Sequence, residues 1–151
     1  MIKGNLNEEM EIRRSFHVER MNLLRSRVEL LEGEDRALLT MYLDNGTTFR
    51  QIAKVAGVNE ATVARRIYKL IQRLLDGDYV ACLRNRQMFT CQEMSVARRY
   101  FLKGESMRTI ATREGVTYYQ VRQTLKRIYR VIQGERQNTR KKEKGKTIIK
   151  N

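Results

Sequence analysis

Arginine, glutamine and tyrosine recur at helical spacing in two stretches of the chain, and these residue types can read the edges of nucleobases. The first stretch offers a polar face comprising Asn59, Thr62, Arg65, Arg66 and Lys69. The second offers a larger face comprising Thr117, Tyr118, Tyr119, Gln120, Arg122, Gln123, Lys126, Arg127 and Arg130. Arginine can form two hydrogen bonds with guanine, glutamine can do the same with adenine, and a tyrosine ring can pack on a thymine methyl group. Both faces are therefore predicted to bind double-stranded DNA.

Position along each helix separates two kinds of contact. In a DNA-binding helix the N-terminal exposed side chains meet base edges. Side chains farther along meet phosphates and fix the register of the protein on the duplex. We assign the phosphate role to the later basic residues, Lys69, Lys126, Arg127 and Arg130. The alternative is that these charges form an ordinary solvated helix face.

Residues that support catalysis or hold metals are sparse. The chain has one histidine, His17, and a lone imidazole is no catalytic signal. Its two cysteines, Cys82 and Cys91, lack metal-ligand spacing and are expected to be semi-buried thiols. The sequence has neither a Walker-type phosphate loop nor a GxGxxG motif. We therefore expect a protein that is not an enzyme, with no catalytic residues, no metal and no cofactor.

The charge balance points to a polyanion as the partner. Lys and Arg outnumber Asp and Glu by 31 to 17 over 151 residues, which gives a net charge of +14. The excess is concentrated in residues 77–151, and each basic group set against a phosphate releases condensed counterions. No apolar run approaches the ~18–20 residues of a membrane span. We expect no membrane association and a cytoplasmic location.

An internal repeat positions the two polar faces. Shifting the chain by 58 residues aligns eight pairs of identical residues. The pairs are Tyr42/Tyr100, Gly46/Gly104, Arg50/Arg108, Ile52/Ile110, Ala53/Ala111, Gly57/Gly115, Val58/Val116 and Val63/Val121. A helix-turn-helix needs a small residue where its helices cross and a residue that tolerates positive φ in the turn. The paired alanines and glycines meet these two needs. The alternative is a helical bundle with accidental repeats.

Capping and periodicity predict where the helices begin and which face they bury. Three Thr-x-x-Gln/Glu pairs are capping boxes that open helices: Thr48–Gln51, Thr90–Glu93 and Thr117–Gln120. The last helix of each copy has an apolar stripe at spacings of four, three and four. The stripes are Val63, Ile67, Leu70, Leu74 and Val121, Leu125, Ile128, Ile132. Residues 79–89 are ambiguous between a short helix and a hairpin.

The two ends of the chain complete the prediction. A long helix is expected up to residue 32, with a short apolar seam of Met21, Leu24, Val28 and Leu31. This seam either pairs two chains as a coiled coil or packs on the first helix-turn-helix. Residues 134–151 are polar and basic without an apolar stripe, which is typical of a flexible tail.

These observations predict an all-α fold with two tandem helix-turn-helix units after a long N-terminal helix and before a disordered basic tail. The expected divisions are residues 1–33, 34–76, 77–133 and 134–151.

Both copies resemble region 4 of bacterial sigma factors, the part that reads the −35 promoter element. The first copy, VNEATVARRIYKLIQRL, is similar to the extracytoplasmic-function branch through Val58, Glu60, Thr62, Val63 and Arg66. The second, VTYYQVRQTLKRI, resembles the V-T-x-x-x-I-R-Q run of primary sigma factors through Val116, Thr117, Val121, Arg122 and Gln123. The chain departs from complete sigma factors because it has two such copies, no tryptophan and no aromatic-rich region 2.

Three functions follow from this resemblance and from the charge. The first is a sequence-specific transcription regulator that reads the major groove with two recognition helices. The second is a sigma-like accessory factor that docks on RNA polymerase. The third is an architectural DNA- or RNA-binding protein that uses charge without reading bases.

Overall fold

The computed structural model describes residues 2–44 and 46–149, and side chains within 6–44 and 46–146. Over those residues the chain is helical, and no strand is present. The all-α prediction is confirmed. The helices are α1 (Ile2–Arg27), α2 (Gly33–Asp44), α3 (Phe49–Ala56), α4 (Glu60–Asp76), α5 (Asp78–Arg84), α6 (Cys91–Ala97), α7 (Met107–Glu114) and α8 (Tyr118–Ile149). Short 3-10 turns occupy Val28–Leu30 and Arg86–Met88, and α6 runs into a π-helical turn at Arg98–Leu102. None of the described helices is long and apolar enough to cross a membrane.

The chain divides into two compact units, Met1–Asp76 and Gly77–Asn151, called unit 1 and unit 2 below. The core of unit 1 is built from apolar side chains that α2, α3 and α4 turn toward one another. Those side chains are Leu38, Leu39, Leu43, Ile52, Ala53, Val63, Ile67, Leu70 and Leu74. The stripe predicted on the last helix of the first copy is therefore the buried face of α4.

The N-terminal seam packs within unit 1. Leu24 and Leu31 are only 3% and 4% exposed, and α1 contacts both α2 and α4. Arg25 Nη2 donates to the carbonyl of Leu43, 3.2 Å away, and Arg27 donates to the carbonyl of Leu74. Cationic groups at the last carbonyls of a helix satisfy unpaired acceptors and oppose the negative end of the helix dipole. Of the two alternatives for the seam, the structure thus shows packing on the chain's own first helix-turn-helix.

Unit 2 has a separate core in which α8 packs against α5, α6 and α7. The buried face of α8 consists of Val121, Leu125, Ile128 and Ile132, as its spacing predicts. Phe101 lies at the centre of an aromatic group, with ring centroids 5.3 Å from Tyr100 and 5.5 Å from Tyr129. Burial is the main cause that raises the pKa of Tyr129 to about 12, so its hydroxyl stays neutral.

The expectation of a flexible tail from residue 134 is wrong, because α8 continues to Ile149. Lys150 and Asn151, the last residues of the predicted tail, lie outside the described residues. The packed first half of α8 acts as the nucleus of the helix. Residues added to an existing helix avoid the unfavourable nucleation step, so the helix extends into the basic segment. Arg84 and Asp78 then hold the helix past its apolar face through ion pairs with Glu135 and Arg136, at 2.9 and 2.6 Å. The ambiguous segment 79–89 is helix α5 followed by a 3-10 turn rather than a hairpin.

Candidate nucleic-acid interface

The turn between α3 and α4 has the geometry that the repeat predicts. Thr48 Oγ1 accepts from the Gln51 amide at 3.2 Å, and Gln51 Oε1 accepts from the Thr48 amide at 3.0 Å, which completes the predicted capping box. Helix α3 ends at Gly57, whose φ of 69° lies in the left-handed region that glycine adopts without a steric penalty. The amide of Val58 then donates to the Ala53 carbonyl at 3.2 Å and closes the turn.

The turn between α7 and α8 repeats this geometry 58 residues later. Gly115 ends α7 with a φ of 67°, and the Val116 amide donates to the Ala111 carbonyl at 3.0 Å. Both alanines are buried where the helices meet. Each unit therefore presents a short helix, a glycine turn and a longer helix whose N-terminal end is exposed.

Three predicted site residues serve as helix caps. Asn59 Oδ1 accepts from the Thr62 amide at 2.8 Å at the start of α4. Thr117 Oγ1 accepts from the Gln120 amide at 3.1 Å, while Gln120 Oε1 accepts from the Thr117 amide at 2.8 Å. These bonds satisfy amides that a helix start leaves without intrahelical partners. The capping oxygens of Asn59, Thr117 and Gln120 are thus already engaged in the free protein.

Arg65 and Arg66 differ in their surroundings although they are neighbours on α4. Arg65 is exposed and forms no ion pair with the residues that the structure describes. Arg66 forms ion pairs with Glu34 at 3.1 Å and with Asp35 at 2.9 Å. Partial burial disfavours its charged form, but the hydrogen bonds to Asp35 and Glu34 outweigh this and raise the pKa of the guanidinium. Arg66 therefore joins α4 to the start of α2.

The remaining predicted residues of the first copy are Thr62 and Lys69. Thr62 is half-buried and lines an apolar groove between α2, α3 and α4 together with Val55 and Val58. Lys69 is exposed, with no ion-pair partner among the described side chains. Arg65 and Lys69 are consequently the free cations that the predicted first face provides.

The second predicted face keeps more free groups. Its exposed side chains without an ion-pair partner in the described part of the chain are Tyr118, Tyr119, Arg122, Gln123, Lys126 and Arg130. Arg127 is different, because it pairs with Glu93, donates to the Met88 carbonyl at 3.0 Å and lies 5.8 Å from the ring centroid of Phe89. Helix α8 thus presents two tyrosines, a glutamine and three unpaired cations on its exposed face.

Two basic residues were aligned in the repeat without being assigned to the site. Arg50 and Arg108 are exposed in the first turns of α3 and α7. The first helix of a helix-turn-helix crosses the DNA backbone. Their matched places in the repeat were the signal in the sequence for this second pair of exposed basic residues.

The two cysteines are separate free thiols, and burial is the main cause that raises the pKa of Cys82 to about 11. Cys82 is therefore a neutral core residue, while Cys91 is exposed in the first turn of α6. Within the described residues, no group of three or more His, Cys, Asp or Glu side chains is placed to hold a metal ion.

Comparison with known proteins finds a similarity within the first of the two units. Residues 21–74 match the family model described as "Sigma-70, region 4". No curated protein and no solved structure matches the chain significantly. The matched stretch begins in α1, includes the seam and ends at the last buried residue of α4. This stretch, 54 of the 151 residues, is therefore similar to sigma-70 region 4 and contains the helix-turn-helix described above.

Proposed function

We propose that the protein is a sequence-specific transcription regulator that reads duplex DNA with two recognition helices, α4 and α8. The observation that carries this proposal is the set of exposed, unpaired side chains that follow the glycine turns, above all Arg65, Arg122 and Gln123. Arginine and glutamine at the start of a recognition helix can discriminate guanine and adenine in the major groove. On this proposal the chain has no enzymatic activity and acts where chromosomal DNA lies, in the cytoplasm.

The proposal assigns different roles to neighbouring groups. Arg122 and Gln123 contact base edges, and the two tyrosines contact thymine methyl groups or phosphates. Lys69, Lys126 and Arg130 contact phosphates, which adds affinity without sequence information. Arg66 and Arg127 position their helices through the ion pairs to Asp35 and Glu93. Asn59, Thr117 and Gln120 fix the N-terminal ends of the two helices.

The test begins with selection of bound duplexes from a random pool, followed by affinity measurements against scrambled competitors. Arg122→Ala or Gln123→Ala should cost roughly 1–3 kcal/mol and relax preference at one base pair. Lys126→Ala should weaken all duplexes about equally and reduce the slope of log K against log salt by about 0.9. Equal affinity for selected and scrambled duplexes would contradict base reading and favour the architectural alternative.

Salt dependence tests the ligand class separately. If about six phosphates are contacted, log K for the wild-type protein should fall with log salt with a slope on the order of −5. A slope near zero would exclude a nucleic acid as the partner. If Arg65→Ala costs far more than Arg122→Ala, the first copy rather than the second dominates the reading of bases.

A second candidate function is an accessory factor that docks on RNA polymerase. The groove between α2, α3 and α4 favours it, because Val55 and Val58 at its edge are 75% and 47% exposed. Exposed apolar groups that line a groove are typical of protein interaction sites. Co-purification of polymerase with the wild type, lost in Val55→Asp and retained in Val18→Asp, would support this function. Val18 is a matched control because it is also exposed, but lies on α1 outside the groove.

A further inference from the structure

Six of the exposed basic residues of α8 lie on one face of this helix. With a rotation of about 100° per residue, ten positions between Tyr119 and Lys144 lie within a strip about 100° wide. All ten are exposed, and none is acidic. We call them the α8 basic stripe: Tyr119, Arg122, Gln123, Lys126, Arg130, Gln133, Gln137, Arg140, Lys141 and Lys144.

The acidic residues of α8 lie away from this stripe. Glu135 accepts hydrogen bonds from Arg84 and Asn85, each at 2.9 Å, on the side that faces α5. Glu143 is also outside the strip. The cations of the stripe form no ion pairs with the described side chains, and like charges four residues apart on a helix repel one another. Two such pairs are Lys126 with Arg130 and Arg140 with Lys144. A polyanion bound along the stripe would reduce the repulsion within both pairs.

We infer that the C-terminal part of the stripe, Arg140, Lys141 and Lys144, binds backbone phosphates of the duplex that the first part contacts. This inference rests on the proposed function, since it extends the same DNA-binding face. Arg140 follows Arg122 by 18 residues on one continuous helix. At about 1.5 Å per residue, Arg140 lies about 27 Å beyond Arg122 along the helix, so the extra phosphates lie to one side of the bases that Arg122 contacts.

Duplex DNA fits the stripe better than duplex RNA does. The stripe begins in the first turn of α8, where a recognition helix enters the major groove of B-form DNA. The major groove of A-form RNA is deep and narrow, and side chains cannot read it. Binding to RNA is therefore an outcome of the test that opposes the inference.

The matched experiment compares two double variants of the full chain. Lys141→Gln with Lys144→Gln removes two charges on the stripe, and Lys142→Gln with Lys146→Gln removes two from the opposite face of the same turns. All four lysines are exposed, so both variants should fold equally well. On a duplex selected from a random pool, the stripe variant should lower the salt slope by about 1.8 and the affinity at physiological salt about tenfold. The off-stripe variant should change neither measurably.

A change of helical phase provides an independent check. Two alanines inserted after Gln137 rotate the distal part of α8 by about 200° and bring Lys142 and Lys146 onto the stripe. In that background the effects of the two double variants should exchange. Backbone interference mapping should show the added phosphate contacts on one side of the site in the wild type and their loss in the stripe variant.

The outcomes separate this inference from the proposed function. Specific, salt-dependent binding by the wild type with equal losses in both double variants would overturn the inference and leave the proposed function standing. Losses in the stripe variant that are confined to binding of an RNA duplex would overturn it as well. A wild type that binds no duplex would overturn both.

Discussion

Arg66 and Arg65 allow a comparison of an arginine held in ion pairs with a neighbouring arginine that, on the proposed function, contacts DNA. Replacing Arg66 with Gln removes the ion pairs to Asp35 and Glu34, at 2.9 and 3.1 Å. The side chains of Arg66, Asp35 and Glu34 are 43%, 27% and 82% exposed. Exposed ion pairs contribute about 0.2–1 kcal/mol, and the less exposed pair with Asp35 belongs at the upper end. Arg66→Gln should therefore destabilise unit 1 by about 1 kcal/mol, while Arg65→Gln should leave stability unchanged.

The assay combines unfolding with DNA binding for the same five proteins: wild type, Arg65→Gln, Arg66→Gln, Asp35→Asn and the double variant of Arg66 and Asp35. Circular dichroism should show the transition of unit 1 lowered by about 4–8 °C in Arg66→Gln, the shift expected of a small domain for 1 kcal/mol. The double-variant cycle should give a coupling of about 0.5–1 kcal/mol between Arg66 and Asp35. Affinity for the selected duplex should fall in Arg65→Gln and stay within about twofold of wild type in Arg66→Gln.

The opposite pattern would refute this assignment. If Arg66→Gln weakens DNA binding as much as Arg65→Gln and the cycle shows no coupling with Asp35, then Arg66 leaves its ion pairs to contact the duplex. The residue would in that case have the role that its place on the polar face predicts.

Three further predictions concern stability. Glu114 has a lowered pKa, chiefly because it accepts hydrogen bonds from Ser95 and Arg99. Its contribution to the free energy of unfolding is therefore fully present above the usual carboxyl pKa, and it is lost as the pH falls through the pKa of Glu114 in the folded protein. Glu114→Gln should lower the free energy of unfolding by about 1–3 kcal/mol at neutral pH. Urea unfolding at acidic pH should show a smaller difference between wild type and variant. A difference that does not change with pH would contradict a stabilisation by the charge of Glu114. Gly134 lies inside α8, and a Cβ added there would have no atom within 4 Å. Gly134→Ala should therefore raise the free energy of unfolding by about 0.5–1 kcal/mol. A lower free energy of unfolding in urea would contradict a continuous helix at this position. Leu24→Ala should lower the free energy of unfolding by about 2–5 kcal/mol because it opens a cavity in unit 1. A loss of stability that is seen only at high protein concentration would instead indicate that this seam pairs two chains.

Local signals made much of the fold predictable. A capping box requires only residues three positions apart, and the Thr48, Thr90 and Thr117 boxes are all present. The glycine turns are similarly local, because positive φ restricts the residue at that position whatever surrounds it. The apolar stripes of α4 and α8 correctly identified the buried faces, since helical periodicity fixes which side chains share a side.

Partners distant in sequence explain what could not be predicted. The bonds from Arg66 to Asp35 and from Arg127 to Glu93 span 31 and 34 residues. Sequence periodicity placed both arginines on a polar face, but it could not show which neighbouring element meets that face. Composition also concealed the extent of α8, because a lysine- and arginine-rich segment without an apolar stripe is equally compatible with a free tail. The packed first half of α8 and the ion pairs of Glu135 and Arg136 stabilise this segment as a continuation of the helix.

Comparison of the two units separates residues that build the turn from residues that meet a ligand. At the 58-residue offset the turn keeps its alanine, glycine and valine, and the helices begin at equivalent positions. The residues at equivalent positions on α4 and α8 differ: Ala61 corresponds to Tyr119, half-buried Ala64 to Arg122 and Arg65 to Gln123. Base recognition depends on these exposed groups rather than on the turn. On the proposed function, two similar turns with different exposed chemistry imply that each recognition helix favours its own base sequence, so a site read by both would lack two-fold symmetry.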